Sequence, residues 1–219
     1  MNLTNKVMQK HISNSEISSM EKLFRINLIN SLSGFKSVCL IGTKNKDNQT
    51  NLSIISSLVH IGSNPALFGI IIRPGVVERH TLENILETKC YTINHINEAI
   101  YKQAHQTSAR YPREISEFDA TDLNTEYKND FKAPFVKESH IQFSLEFKQK
   151  VEIEINNTIL IIGQVKDIYI PNDSLFVDGY IDIEKAKTIT CTGLDSYHLT
   201  KRIDRLSYAK PNKELISLL

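Results

Sequence analysis

Residues 141–155 and 158–170 are two long runs rich in β-branched and aromatic side chains, separated by little more than Asn156-Asn157. Asparagine tolerates the left-handed backbone that a tight turn demands, so the two runs read as one long antiparallel hairpin, ended by Pro171. The rest of the chain supplies shorter strands over residues 36–43, near Asn51, and over residues 66–73 and 90–96. Their turns fall at the polar stretch 44–49, at Asn64-Pro65 and at Pro74-Gly75. Ser18 and Glu21 have the spacing of a capping box, and Met20, Leu23, Phe24, Leu28 and Leu32 recur on one helical face until Gly34. Shorter helices are expected over residues 81–87, capped by Thr81, and over residues 98–109, before Pro112. The polar, acidic stretch 113–134 reads as a surface loop that can rim a site, and the tail from Asp182 onward as short helix mixed with irregular chain. At least six strands with few long helices between them favour a mainly β fold, an antiparallel barrel with added helices, over a doubly wound sheet. The expected organisation is one domain over residues 1–219, with a helical extension over 1–33 and a tail over 197–219.

Charge and cysteine usage narrow the function. The 26 Lys and Arg nearly cancel the 25 Asp and Glu, so no overall field argues for nucleic acid or an anionic membrane surface. The first residues lack a secretory apolar core, and the longest apolar runs, such as residues 67–72, are too short to span a bilayer, which points to the cytosol. Cys39, Cys90 and Cys191 are scattered and set among apolar or β-branched neighbours, as buried thiols in a reducing compartment would be. The seven His show no metal-ligand spacing, so no metal is expected.

Residues 51–95 carry the chemistry. Asn51, Ser53, Ser56 and Ser57 put small donors on a strand-like segment, Arg73 closes the next apolar run, and His80 and Thr81 stand just before a helical pattern. Small hydroxyls approach phosphate closely, a helix start favours its negative charge, and Arg offers a fixed fork of donors. Together with apolar strand faces, this combination suits a planar, phosphorylated ligand.

These pieces resemble the flavin reductase-like, FMN-binding split-barrel family over about residues 25–211. The resemblance is carried, in order, by Gly42-Thr43, Asn51-Leu52-Ser53 with Ser56-Ser57, Asn64-Pro65, and the arginine-ended strand. It continues through His80-Thr81 with Asn84-Ile85, Tyr91-Thr92-Ile93-Asn94, Ser116-Glu117-Phe118 and Ile162-Gly163-Gln164-Val165. It implies a six-stranded antiparallel split barrel of Greek-key type, with FMN at the interface of a homodimer and redox chemistry at flavin N5 fed by NADH or NADPH. By the same resemblance Thr43, Asn51, Leu52, Ser53 and Ile54 border the flavin ring, and Ser56 and Ser57 reach its ribityl chain or phosphate. Arg73, His80 and Thr81 meet the phosphate, and Asn94, His95, His105 and Ser108 are further candidates near the ring. No catalytic acid or base is implied, because the cofactor carries the hydride chemistry. One departure stands out: where well-known NADH-dependent members have Gly-Asp-His, this chain has Asn156-Asn157-Thr158, with Thr158 in the histidine's place. An FMN-dependent reductase of a small-molecule acceptor therefore stands beside a flavoredoxin-like carrier fed by a protein donor, and beside a non-catalytic FMN-binding module.

Overall fold

A computed structural model describes residues 8–73 and 80–219; the expected Pro74-Gly75 turn lies outside them. In chain order the elements are α1 (Asn14–Ser19), α2 (Lys22–Ser31), β1 (Lys36–Ser37), β2 (Cys39–Lys44), β3 (Thr50–Ile55), β4 (Val59–Ser63) and β5 (Ala66–Ile72). Then come α3 (His80–Thr88), β6 (Cys90–His95), α4 (Tyr101–Gln106), α5 (Glu117–Ala120), β7 (Thr125–Glu126) and β8 (Phe135–Val136). The chain ends with β9 (Gln142–Ile153), β10 (Thr158–Tyr169), β11 (Thr190–Thr192) and β12 (Ser196–His198).

The long hairpin forms as its turn chemistry dictates: β9 pairs with β10 from Ile153 opposite Thr158 onward, and Asn157 adopts φ 56° at the turn. It sits inside an all-antiparallel sheet in the order β3-β2-β6-β9-β10-β5-β4. The main sheet thus has seven strands rather than the expected six. The extra one is the short edge strand β4, which the turn at Asn64-Pro65 folds back onto β5 with Ser63 opposite Ala66.

Apolar side chains cover both faces of the central strands. Cys39 and Ile41 of β2 pack on one face with Ile70, Tyr91, Ile93, Leu145 and Ile161. Val38 and Leu40 pack on the other with Leu52, Ile96, Ile100 and Phe118. A strand buried on both faces has no reason to alternate with polar residues, which is why residues 38–41 form an unbroken apolar run. Two glycines permit close approaches. A Cβ on Gly42 would lie 2.2 Å from the Pro134 carbonyl oxygen, and one on Gly163 would lie 2.2 Å from Oη of the buried Tyr91. The glycine of the Ile162-Gly163-Gln164-Val165 segment is therefore a space requirement of the tyrosine across the sheet.

Three local expectations are corrected. The capping box belongs to Ser13 and Glu16, whose carboxylate accepts from the Ser13 N–H at 2.7 Å while the Ser13 hydroxyl accepts from the Glu16 N–H at 3.3 Å. Both Ser-x-x-Glu sites match the motif, but Met20 is extended, with ψ 146°, and splits the helix. Glu21 then caps α2 through its own carboxylate on the Phe24 N–H, at 2.9 Å. The second helix of the middle segment is shorter than residues 98–109, covering only α4. The tail from Asp182 contains no α-helix; Thr190-Cys191-Thr192 and Ser196-Tyr197-His198 instead fold about Gly193 into a hairpin that pairs with β1, Lys36 facing Cys191. Neither α1 nor α2 buries a residue within the chain, and Leu23, Phe24 and Leu32 of the expected apolar face are 62%, 55% and 71% exposed. Among the described residues no helix is long and apolar enough to cross a membrane, and no group of three or more His, Cys, Asp or Glu is placed to hold a metal ion.

Candidate functional site

The free edge of β3 opens onto a cleft of about 1300 Å³. Part of its lining comes from β3 and the residues just after it, from the end of β5 and from the start of α3: Asn51, Ser53, Ile54, Ser56, Ser57, Arg73, His80 and Thr81. The rest comes from His105 and Ser108 of α4 and the turn after it, from the rim segment 109–114, whose Arg113 pairs with Glu83 of α3, and from Leu194, Asp195 and Tyr197 of the tail hairpin.

An exposed strand edge is ordinarily a liability, because its N–H groups invite another strand. Here side chains occupy it. The Leu52 N–H donates to Glu117 Oε2 at 2.9 Å, and the Ile54 N–H donates to Thr107 Oγ1 at 3.0 Å. Glu117 is itself buried and accepts a second hydrogen bond from Asn51 Nδ2 at 2.7 Å. Asn51 Oδ1 in turn accepts from the hydroxyls of Thr81, at 2.8 Å, and Thr43, at 3.3 Å, and Thr43 Oγ1 accepts from Asn84 Nδ2 at 3.1 Å. This chain of bonds ties β2, β3, α3 and α5 together beneath the cleft floor and fixes which face of the Asn51 amide points where.

The sequence candidates therefore divide. Asn51, Ser53, Ile54, Ser56, Ser57, Arg73, His80, Thr81 and His105 share the cleft wall. The Thr43 side chain lies in the buried network beneath it, and Leu52 lies in the core. Asn94 is also in the interior, where it donates to the Leu40 carbonyl and to Thr92 Oγ1 and accepts from the Val136 N–H, joining β8 to the main sheet. Ser57 has a structural task as well: its hydroxyl donates to the Ile71 carbonyl and accepts from the Ile71 N–H, both at 3.1 Å, closing the gap between the end of β3 and β5. The Thr81 hydroxyl is directed at Asn51, so what Thr81 offers an anion is backbone at the start of α3. Arg73 donates one bond to Asn30 Oδ1 of α2, at 2.9 Å, and its guanidinium has four further N–H groups. Sequence reasoning assigned no site role to Glu117 or Thr107. The signals for Glu117 were its place in the Ser116-Glu117-Phe118 segment of the resemblance and its position beside Phe118, which fills the core.

The seven-stranded antiparallel sheet, with a cleft at its β3 edge lined by hydroxyls, an arginine and a helix start, has the architecture of a split β-barrel. The flavin reductase like domain matches residues 35–183, and the chain belongs to that family. It is similar to a split-barrel protein of Shewanella frigidimarina NCIMB 400 provisionally assigned as a flavin reductase, with 48% identity, a TM-score of 0.89, and coverage of 92% of this chain and all of that one. Two more distant structures share the fold. Nitrilotriacetate monooxygenase component B from Bacillus cereus is 18% identical, with a TM-score of 0.79 over 91% of this chain and 99% of that one. The flavoredoxin of Desulfovibrio vulgaris (Miyazaki F) is 19% identical, with a TM-score of 0.68 over 82% of this chain and 92% of that one.

Proposed function

We propose that this protein binds FMN at the β3–Arg73–α3 part of the cleft and works as an oxidoreductase fed by NADH or NADPH, as a homodimer in a reducing compartment. The observation that carries the reading is the convergence of Arg73 and the start of α3 on a strand edge lined with hydroxyls and isoleucines. Bound flavin supplies the redox chemistry, and this chain's residues hold and shield it. Ile54, Ile55 and Ile71 offer an apolar surface to a ring, and Arg73, His80 and the N–H groups opening α3 suit a phosphate carrying between one and two charges. Titrations with FMN and riboflavin test this. FMN should bind more tightly, and Arg73→Ala should weaken FMN by about 1.5–3 kcal/mol, the range for a hydrogen bond to a charged group, while leaving riboflavin unchanged. Equal affinity for the two flavins would remove the phosphate site.

The homodimer is supported by the exposed Leu23 and Phe24 of α2 and Leu32 just after it, and by the exposed Leu199, Ile203 and Leu206 of the tail, more apolar surface than one barrel covers. A monomeric mass by light scattering, at micromolar concentration with FMN bound, would contradict it.

A second reading, an electron carrier reduced by a protein partner, is favoured by Thr158. Its hydroxyl donates to Asn156 Oδ1 at 2.8 Å within the hairpin turn, and it does not line the cleft. Under the leading reading, anaerobic reduction by NADH or NADPH saturates with nucleotide concentration. Thr158→His should leave the rate unchanged, because a side chain off the cleft is not placed to position the nicotinamide beside the flavin. Slow, unsaturable reduction of both proteins would select the carrier.

A further inference from the structure

The cation that the flavin reading places on the phosphate is held by a helix outside the barrel. Arg73 follows β5 on the cleft wall, and its Nη2 donates to Asn30 Oδ1 of α2 at 2.9 Å. Among the described residues no carboxylate pairs with Arg73, so its charge and its remaining N–H groups stay available to an anion. What each group can do fixes the direction of the bond. A guanidinium only donates, and the Ile26 carbonyl, 2.7 Å from Asn30 Nδ2, only accepts. The amide therefore turns its oxygen to Arg73 and its N–H groups to the preceding turn of α2.

Asn30 is itself anchored. Its backbone carbonyl accepts from Lys36 Nζ at 3.2 Å, and the same ammonium donates to the Gly193 carbonyl of the tail hairpin at 2.5 Å. Lys36 belongs to β1, which pairs with β11 of that hairpin. No side chain of α2 is fully buried within the chain, so polar ties of this kind carry much of its placement beside Arg73. Both Asn30 and Gly193 lie outside residues 35–183, the span of the family match.

An unrestrained arginine loses rotamer freedom when it closes on a phosphate, and one already held in place has less to lose. A neutral amide orders the guanidinium without cancelling its charge, as a carboxylate would. Resting on the reading that Arg73 meets the phosphate of bound FMN, we propose that Asn30 is a positioning residue that sets this protein's preference for the phosphorylated flavin. Asn30 does not line the cleft and acts through Arg73. It occupies one N–H of the fork and leaves the others to the cleft, so selection of FMN over riboflavin depends on a helix that precedes the matched domain.

The test is a double-mutant cycle on the full chain: wild type, Asn30→Leu, Arg73→Ala and the pair together, each titrated with FMN and with riboflavin by flavin fluorescence quenching. Leucine is close to asparagine in size and a better helix former, so α2 keeps its structure while the amide is removed. Asn30→Leu should raise the FMN Kd about fivefold, the size of one ordinary hydrogen bond, and leave riboflavin unchanged. Added to Arg73→Ala, the same substitution should change neither. A merely structural role for Asn30 would weaken both flavins together and would persist without Arg73. An unchanged FMN Kd in Asn30→Leu, an equal loss for riboflavin, or an equal loss in the Arg73→Ala background would each overturn the proposal. Failure of the flavin reading has its own signature: wild type would bind FMN no more tightly than riboflavin, or Arg73→Ala would leave FMN affinity unchanged, and the proposal would fall with it.

Discussion

Glu117→Ala should cost the protein about 3–5 kcal/mol of stability, as two hydrogen bonds to one buried charged group at about 1.5–3 kcal/mol each, less than fully additive, require. The carboxylate is only 6% exposed, and it accepts from both Asn51 Nδ2 and the Leu52 N–H. Alanine leaves an amide and a backbone N–H buried without a partner, and those groups lose water without regaining a bond. The loss propagates toward the cleft. Asn51 is freed to turn, Thr81 loses the acceptor for its hydroxyl, and the start of α3 is no longer fastened to the floor of β3. FMN affinity should therefore fall as well, although no contact between Glu117 and the flavin is invoked. Glu117→Gln keeps one acceptor oxygen and should give roughly half the stability loss. Urea unfolding curves and FMN titrations of the three proteins check this; a midpoint for Glu117→Ala equal to wild type would show that the carboxylate does not hold the edge of β3.

The barrel was legible in the sequence wherever a local signal is decisive. Asn156-Asn157 between two β-branched runs, Asn64-Pro65 before another, and Thr81 ahead of Leu82, Ile85 and Leu86 each specify their own backbone within a few residues, and each forms close to where it was expected. The capping box failed because two equivalent boxes stand five residues apart, and local chemistry does not rank them. The tail failed because Thr190–Thr192 and Ser196–His198 are strands of only three residues each, and their hairpin is seated by pairing with Lys36 and Ser37, 154 positions away in sequence. Strand formation that depends on a distant edge has little local trace. The candidate site shows the same division. Residue types suited to a ligand were visible, and the structure gathers most of them on one cleft. What the sequence does not display is which polar groups are already engaged. Ser57 and Asn94 read as available donors, yet one fastens the end of β3 to β5 and the other ties β8 to the sheet. Glu117 reads as a surface acid and is the buried anchor of the floor.

Acid should destabilise this protein through His95 before the bulk of its carboxylates protonate. His95 ends β6, with Nδ1 3.1 Å from Thr188 Oγ1 and its ring edge-on to Phe143, the centroids 6.4 Å apart. Burial holds the imidazole down to about 4, against an ordinary value of 6.5. Because the folded-state value is the lower one, the unfolded chain takes up the proton first as pH falls. The neutral ring's contribution is thus complete above about pH 6.5, declines through the interval below it, and is exhausted once the folded protein also binds the proton near pH 4. At pH 5 the loss is about 2 kcal/mol, approaching about 3 kcal/mol at the lower limit. Carboxylates held below their usual range also lose stability in acid: Asp182, through the Lys185 backbone N–H and Arg202, and Asp178, through Arg205 and the Tyr180 backbone N–H. Their low folded-state values confine that loss mostly to lower pH. The informative quantity is therefore the difference between wild type and His95→Gln, measured by urea unfolding at steps from pH 7.5 down to about 4.5. Glutamine has no proton to gain in this range, so the variant should be the less stable protein at neutral pH and should lose its disadvantage as pH falls. A constant difference across the series would mean that His95 titrates alike in the folded and unfolded chains, and that Phe143 and Thr188 do not shelter it from water.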